Sequence, residues 1–194
     1  MKIVAVSQRE DHFPERNETR DALDQSLAAF VAICGHVPVP VPNGLGGAIR
    51  DWLTIVRPEA VVLSGGNDIG QSAKRDDTEL ALLAHAQERQ LPVFGICRGM
   101  QMMAHWAGTG LHPVQGHVRT RHRLVGEITG EVNSYHGFAL AGCPTGFEVL
   151  ALSEDGEIEA IRHQSLPWEG WMWHPEREPN FSEHDIQRLK ALFS

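Results

Sequence analysis

The chain has 194 residues, 42% apolar and 22% charged, with a formal net charge of −8. That size and balance fit one globular domain over residues 1–194, and the acidity argues against non-specific binding to nucleic acid or anionic membranes. No apolar run reaches the roughly 18–20 residues of a membrane span, "MKIVAVSQRED" reads as a first strand and not a signal peptide, and three cysteines without metal-type spacing fit a reducing cytoplasm.

Taken in chain order, residues 2–6 read as a buried strand. Residues 19–34 read as an amphipathic helix with Leu23, Leu27, Phe30, Val31 and Cys34 on one face and Gly35 as its C-cap. A short strand at 37–41 and a helix at 48–56, stopped by Pro58, come next. A strand at 60–64 ends in "GGND", a helix covers 77–90, a strand covers 91–96, and a helix covers 98–107. This alternation with continuous apolar strands is the signature of a parallel sheet covered on both faces. The second half changes to β-segments at 123–136, 147–155, 157–164 and 168–176, closed by a helix at 182–193 with Ser182 as N-cap. The expected architecture is α/β, a three-layer sandwich with a mostly parallel central sheet and a small antiparallel addition.

Cys97 stands in "GICRG", between a buried strand and a helix. The G-x-C-x-G spacing is a cysteine version of the nucleophile elbow. Glycines at 95 and 99 would admit close backbone where a Cβ would clash. The following helix N-terminus favours thiolate, and the Arg98 backbone N–H points where an oxyanion would form. A buried structural cysteine is the ordinary alternative, and Cys34 and Cys143 fit it. "SGGND", residues 64–68, ends another strand, so Gly66 can offer a second backbone donor at the same sheet edge, although Gly-Gly alone is also an ordinary loop. Among 11 histidines, His174 is singled out by "WMWHPE": Pro175 breaks the strand, leaving the imidazole at its tip, and Glu176 can accept from the ring. Taken alone, H-P-E also fits a strand-ending turn with a surface acid.

Together "GGND", "GICRGMQ" and "WHPE" resemble the class I glutamine amidotransferase-like superfamily, and the likeness runs from "AVSQR" to the C-terminal helix. The resemblance implies a flavodoxin-like sheet, a triad of Cys97, His174 and Glu176, and an oxyanion hole from the backbone of Gly66 and Arg98. It also implies a γ-glutamyl-binding role for Gln101 and a glutamate-gripping segment in "VNSYHGF", that is Asn133, Ser134, Tyr135 and His136. Arg98 after the nucleophile and "NSYH" look like the γ-glutamyl hydrolase branch. The implied chemistry is hydrolysis of a γ-glutamyl amide through a thioester. Among short free-standing members, some of them in capsule-modification pathways, the best known reaction converts γ-glutamyl-CDP-amidate to glutamate and cytidine diphosphoramidate. The alternatives are a γ-glutamyl-γ-aminobutyrate-type hydrolase, a glutaminase delivering ammonia to a partner synthase, and a non-catalytic binding module, against which the intact Cys97, His174 and Glu176 set argues.

"HVRTRHR", residues 117–123, packs three Arg and two His into seven positions of an acidic chain. It reads either as a solvated basic loop or as a phosphate site, with Arg119, Arg121 and Arg123 contacting a diphosphate-bearing leaving group. Because the Arg98 donor is backbone, a side-chain change there is expected to hurt less than one at Cys97. No cofactor and no metal are expected. The expected partner is a small γ-glutamyl substrate, with no nucleic acid and no membrane, and a homodimer is the candidate assembly.

Overall fold

A computed structural model describes all residues, Met1–Ser194. The chain runs through β1 (Ile3–Val6), β2 (Arg9–Phe13), β3 (Glu18–Ala22), α1 (Gln25–Ile33), β4 (Val37–Pro40), α2 (Ile49–Val56), β5 (Ala60–Leu63) and α3 (Ala73–Arg89). It continues with β6 (Val93–Ile96), α4 (Arg98–Trp106), β7 (Leu111–Pro113), β8 (Val118–Gly126), β9 (Gly130–Tyr135) and β10 (Phe138–Leu140). β11 (Phe147–Leu152), β12 (Ile158–His163), β13 (Trp168–Trp171) and α5 (Glu183–Leu192) complete it.

Nine strands form one sheet in the order β4-β1-β5-β6-β13-β12-β11-β8-β9. Neighbours from β4 to β13 pair in parallel, and those from β13 to β9 pair antiparallel. Successive residues of each parallel strand feed opposite layers. Val4, Val6, Val62, Phe94 and Trp171 pack with α1 and α5, while Ala5, Val61, Leu63, Val93 and Trp168 pack with α2, α3 and α4. This double burial is why these strands are apolar at every position: each fully buried Val or Leu contributes roughly 1.5–3 kcal/mol.

The structure revises several expected boundaries. The helix expected from residue 19 begins at Gln25, because Asp24 caps it by accepting from the Ser26 N–H at 2.9 Å. Residues 18–22 are instead a strand, paired antiparallel with 9–13 as a hairpin that sequence periodicity did not reveal. The helix expected from 77 begins at Ala73, capped by Ser72. The single β-segment expected at 123–136 is two strands, and β8 extends back to Val118, so "HVRTRHR" is largely strand and not loop. Ser182 caps α5 as expected, accepting from the Asp185 N–H.

Candidate active site

β6 ends in the middle of the sheet and α4 starts at once, with Cys97 the only residue between them. Its backbone sits at φ 51°, ψ −105°, a conformation that costs a non-glycine residue about 1–3 kcal/mol and persists only when its surroundings enforce it. They do so here. The Cys97 N–H donates to the Trp171 carbonyl at 2.7 Å. A Cβ on Gly95 would lie 2.7 Å from the Gly99 carbonyl carbon, and one on Gly99 would lie 2.1 Å from the Leu63 carbonyl oxygen. Both glycines therefore let backbone meet backbone around the cysteine.

His174 follows β13 and reaches the same place. Its Nδ1 donates to Glu176 Oε1 at 2.7 Å, and both side chains are buried. Its ring packs on the bare Cα of Gly65, where a Cβ would come within 2.7 Å of Cε1. Cys97 is 7% exposed and lies within hydrogen-bonding reach of the His174 ring. Burial works against an imidazolium here. The charge and hydrogen bond of the Cys97 thiolate, then those of Glu176, outweigh it and raise the His174 pKa to about 9. The arrangement is a stabilised thiolate–imidazolium pair with a carboxylate fixing the ring.

Cys97, His174, Gln101, Gly66 and Arg98 line one cleft of ≈ 390 Å³. The Gly66 loop is oriented from behind by a residue that no sequence motif marks. Arg75, fully buried on α3, donates to the carbonyls of Ser64 at 2.7 Å and Gly65 at 3.0 Å, and to that of Gly66. A trans peptide points its N–H opposite its C=O. The amides of Gly66 and Asn67 therefore face away from Arg75, toward the cleft both residues line. Arg75 Nε also bonds Glu79 Oε1 at 3.1 Å, and the Arg98 guanidinium pairs with Glu79 and Asp76. The Arg98 side chain is thus buried in an ionic network. The expectation that changing it is mild is corrected: truncation would strand buried carboxylates, which costs about 3–5 kcal/mol.

The "NSYH" segment divides. Tyr135 and His136 line the cleft, and the Tyr135 ring meets His174 edge-on at 5.6 Å. Asn133 and Ser134 do not reach it, which corrects their expected contact with substrate. The Asn133 side chain accepts from the His174 N–H at 2.9 Å and donates to the His174 carbonyl at 2.7 Å, so it positions the histidine. The Ser134 hydroxyl donates to the His117 carbonyl at 2.6 Å. Alternation explains the split: adjacent strand residues face opposite sides. The His136 side chain turns out of the cleft, with Nδ1 donating to the Phe138 carbonyl at 3.0 Å. That carbonyl also accepts from Gln101 Nε2 at 3.0 Å.

The phosphate-site expectation for β8 is also corrected. Arg119, Arg121 and Arg123 are exposed and none lines the cleft. Arg121 is held by Glu131 at 2.7 Å and Glu178 at 3.0 Å. The cations at the cleft are Arg9 and Arg177, which also line an adjoining recess of ≈ 260 Å³. Neither was expected from the sequence, because Arg9 belongs to the unrecognised hairpin and Arg177 lies just beyond the "WHPE" motif.

No helix is long and apolar enough to cross a membrane. The family model described as glutamine amidotransferase class-I matches residues 46–192. The chain is 36% identical over 142 residues to a gamma-glutamyl-CDP-amidate hydrolase of Campylobacter jejuni, covering 70% of each chain. It is 32% identical over 147 residues to the glutamine-hydrolyzing component of a GMP synthase of Thermococcus kodakarensis, covering 69% of this chain and 74% of that one. Its fold matches the crystal structure of a glutamine amidotransferase from Thermotoga maritima with a TM-score of 0.67 at 16% identity, over 97% of this chain and 82% of that one.

Proposed function

Because the chain belongs to the class I glutamine amidotransferase family, we propose that it hydrolyses a γ-glutamyl amide with Cys97 as nucleophile, His174 as acid and base, and Glu176 as the group that orients His174. The observation that carries this reading is the strained Cys97 corner facing a histidine that is hydrogen-bonded to a buried glutamate. The thiolate attacks the γ-carbonyl, and the Gly66 and Arg98 amides receive the oxyanion. As the C–N bond breaks, the His174 imidazolium gives its proton to the departing nitrogen, leaving a γ-glutamyl thioester. Neutral His174 then takes a proton from water, which attacks the thioester. The C–S bond breaks and glutamate leaves. Gln101 and the 135–138 backbone line the space for the glutamyl group.

The specific substrate we infer is γ-glutamyl-CDP-amidate, as for the Campylobacter jejuni relative. Two features support a phosphorylated leaving group: Arg9 and Arg177 stand where the cleft meets its neighbouring recess, and guanidinium forks suit phosphate oxygens. Arg9 rests on Asp11 at 2.8 Å, an exposed pair that a diphosphate can displace. Glutaminase supply to a synthase is the second reading, favoured by the likeness to the Thermococcus protein.

Glutamate release from the nucleotide amidate, γ-glutamyl-γ-aminobutyrate and glutamine tests the choice. The amidate should have a kcat/KM at least ~10-fold above the others, and Arg9→Ala should reduce that value ~10-fold while sparing glutamine, the size expected from losing one charge-assisted contact. Equal losses on all three substrates would remove the phosphate reading. Glutamine preferred over both amides would favour the synthase-coupled one.

A further inference from the structure

Behind the 135–138 segment, on the side away from Cys97, lie His117, His122, His136 and Glu159, with their donor atoms all within 4.8 Å of one another. Nothing in the proposed chemistry uses them. His117 precedes β8, His122 is on it, His136 follows β9 and Glu159 is on β12. β8 pairs with β11 only at Val125 and Gly126. Nearer the start of β8, no backbone pairing ties it to β12, and the four side chains span that opening.

Three observations show a built site. The first is the tautomers. His117 Nε2 lies 2.8 Å from Asp155 Oδ2, and His136 Nδ1 lies 3.0 Å from the Phe138 carbonyl. Those acceptors claim the ring protons, so the lone pairs of His117 Nδ1 and His136 Nε2 point at each other across 3.3 Å. Outer carboxylate and carbonyl partners of this kind are how metal-binding histidines are oriented. The second is the carboxylate. Glu159 is 0% exposed, and neither oxygen has a hydrogen-bond partner; nor does His122 Nε2. A buried carboxylate with no donor is costly unless a cation faces it. The third is the spacing. Tetrahedral zinc with ligand bonds of about 2.0–2.1 Å places its donors about 3.3–3.4 Å apart. Here His136 Nε2 and Glu159 Oε1 are 3.3 Å apart, His117 Nδ1 and Glu159 Oε1 are 3.6 Å, and His122 Nε2 and Glu159 Oε1 are 4.0 Å.

The local backbone is shaped to bring these donors together. Residues 117 and 122 are an odd number apart, so a regular strand would turn them to opposite faces. The register slips between Val118 and Thr120, where Arg119 sits at φ 56°, and this bulge returns His117 to the face of His122.

We propose that His117, His122, His136 and Glu159 form a tetrahedral site for a divalent transition metal, zinc by donor type and closed geometry. The ion replaces the missing backbone link between β8 and β12. It also fixes His136, and through the shared Phe138 carbonyl it fixes Gln101 at the cleft. That last consequence rests on the γ-glutamyl reading, whereas metal binding does not.

The test uses Cys97→Ser protein, so that the reactive thiol offers no competing ligand. After chelation and dialysis, Zn²⁺ and Co²⁺ are titrated in. One equivalent of metal by mass spectrometry, visible Co²⁺ bands of tetrahedral intensity and a melting point about 5–10 °C above that of the chelated protein are expected. His122→Ala, at the least buried ligand, and Glu159→Gln should each weaken Zn²⁺ binding at least ~10-fold. Absence of stoichiometric metal and of a melting shift in the Cys97→Ser protein would overturn the site whatever the variants do. Unchanged binding in both variants would place the metal elsewhere and overturn it equally. Glutamate release by wild-type protein is scored separately, so a failure of the γ-glutamyl reading is not confused with a failure of the metal site.

Discussion

The two halves of the sheet solve different problems. In the parallel half, β5, β6 and β13 end together, and functional groups stand where strands stop: the Gly66 loop after β5, Cys97 after β6 and His174 just beyond β13. Position along the chain is enough to place them, because open α/β sheets bind at the carboxyl ends of their strands. In the antiparallel half, groups meet by alternation, a bulge and an unpaired stretch of β8. The first half holds its residues with backbone and glycine, the second with side chains and, on the proposed reading, an ion.

The largest effect should fall on the parallel half. Cys97→Ala removes the nucleophile, and kcat for glutamate release should fall by at least ~10⁴, with circular dichroism unchanged. Wild-type protein quenched in acid during turnover should carry a γ-glutamyl mass on Cys97. Substantial turnover by the variant would undo the assignment of chemistry to this corner. Next comes Gly99→Ala. Its Cβ would meet the Leu63 carbonyl at 2.1 Å, so β5 and α4 must separate. We expect about 3 kcal/mol of destabilisation in urea, at the upper end for overpacking. Gly44→Ala, where nothing lies within 4 Å, serves as the neutral comparison.

Glu176→Gln probes the electrostatics. Glu176 helps to hold the His174 pKa at about 9, above its ordinary 6.5. Stabilisation from the charged pair is therefore complete below about 6.5 and is lost as pH rises through about 9. Since the imidazolium is the acid that expels the amine, kcat should decline on the alkaline side near the same pH. The variant should lose about 10² in rate, and its alkaline limb should move to lower pH. A limb that stays in place would mean that Glu176 does not tune the histidine.

Much of this was legible in the sequence, for physical reasons. Gly95 and Gly99 have steric consequences that follow from spacing alone, and Pro175 must end a strand wherever it falls. The β2–β3 hairpin was not legible. Its residues 18–22 are polar and exposed or half-buried, so no periodicity marks them, and the helical pattern of α1 reads on through them. Asn133 and Ser134 were misassigned because a sequence segment does not say which way each side chain faces. Arg75, Glu79 and Arg98 form their network across two helices, and no local spacing announces it. His117, His122, His136 and Glu159 converge only because of a one-residue bulge at Arg119.

Arg121→Ala gives the smallest effect and the sharpest contrast between the halves. Its guanidinium is 46% exposed and bound to Glu131 and Glu178. Exposed pairs of this kind contribute about 0–1 kcal/mol, so stability should barely change. Removing Arg121 also leaves Glu178 held by Asn133 Nδ2 at 2.8 Å, and Asn133 keeps both of its bonds to the His174 backbone. The histidine therefore stays in place, and kcat/KM on the nucleotide amidate should remain within about twofold of wild type, well below the tenfold that 1.4 kcal/mol would produce. A tenfold loss confined to the amidate would show that the leaving group reaches across to β8. The antiparallel half would then take part in recognition directly, and Arg9 and Arg177 would no longer suffice as the phosphate contacts.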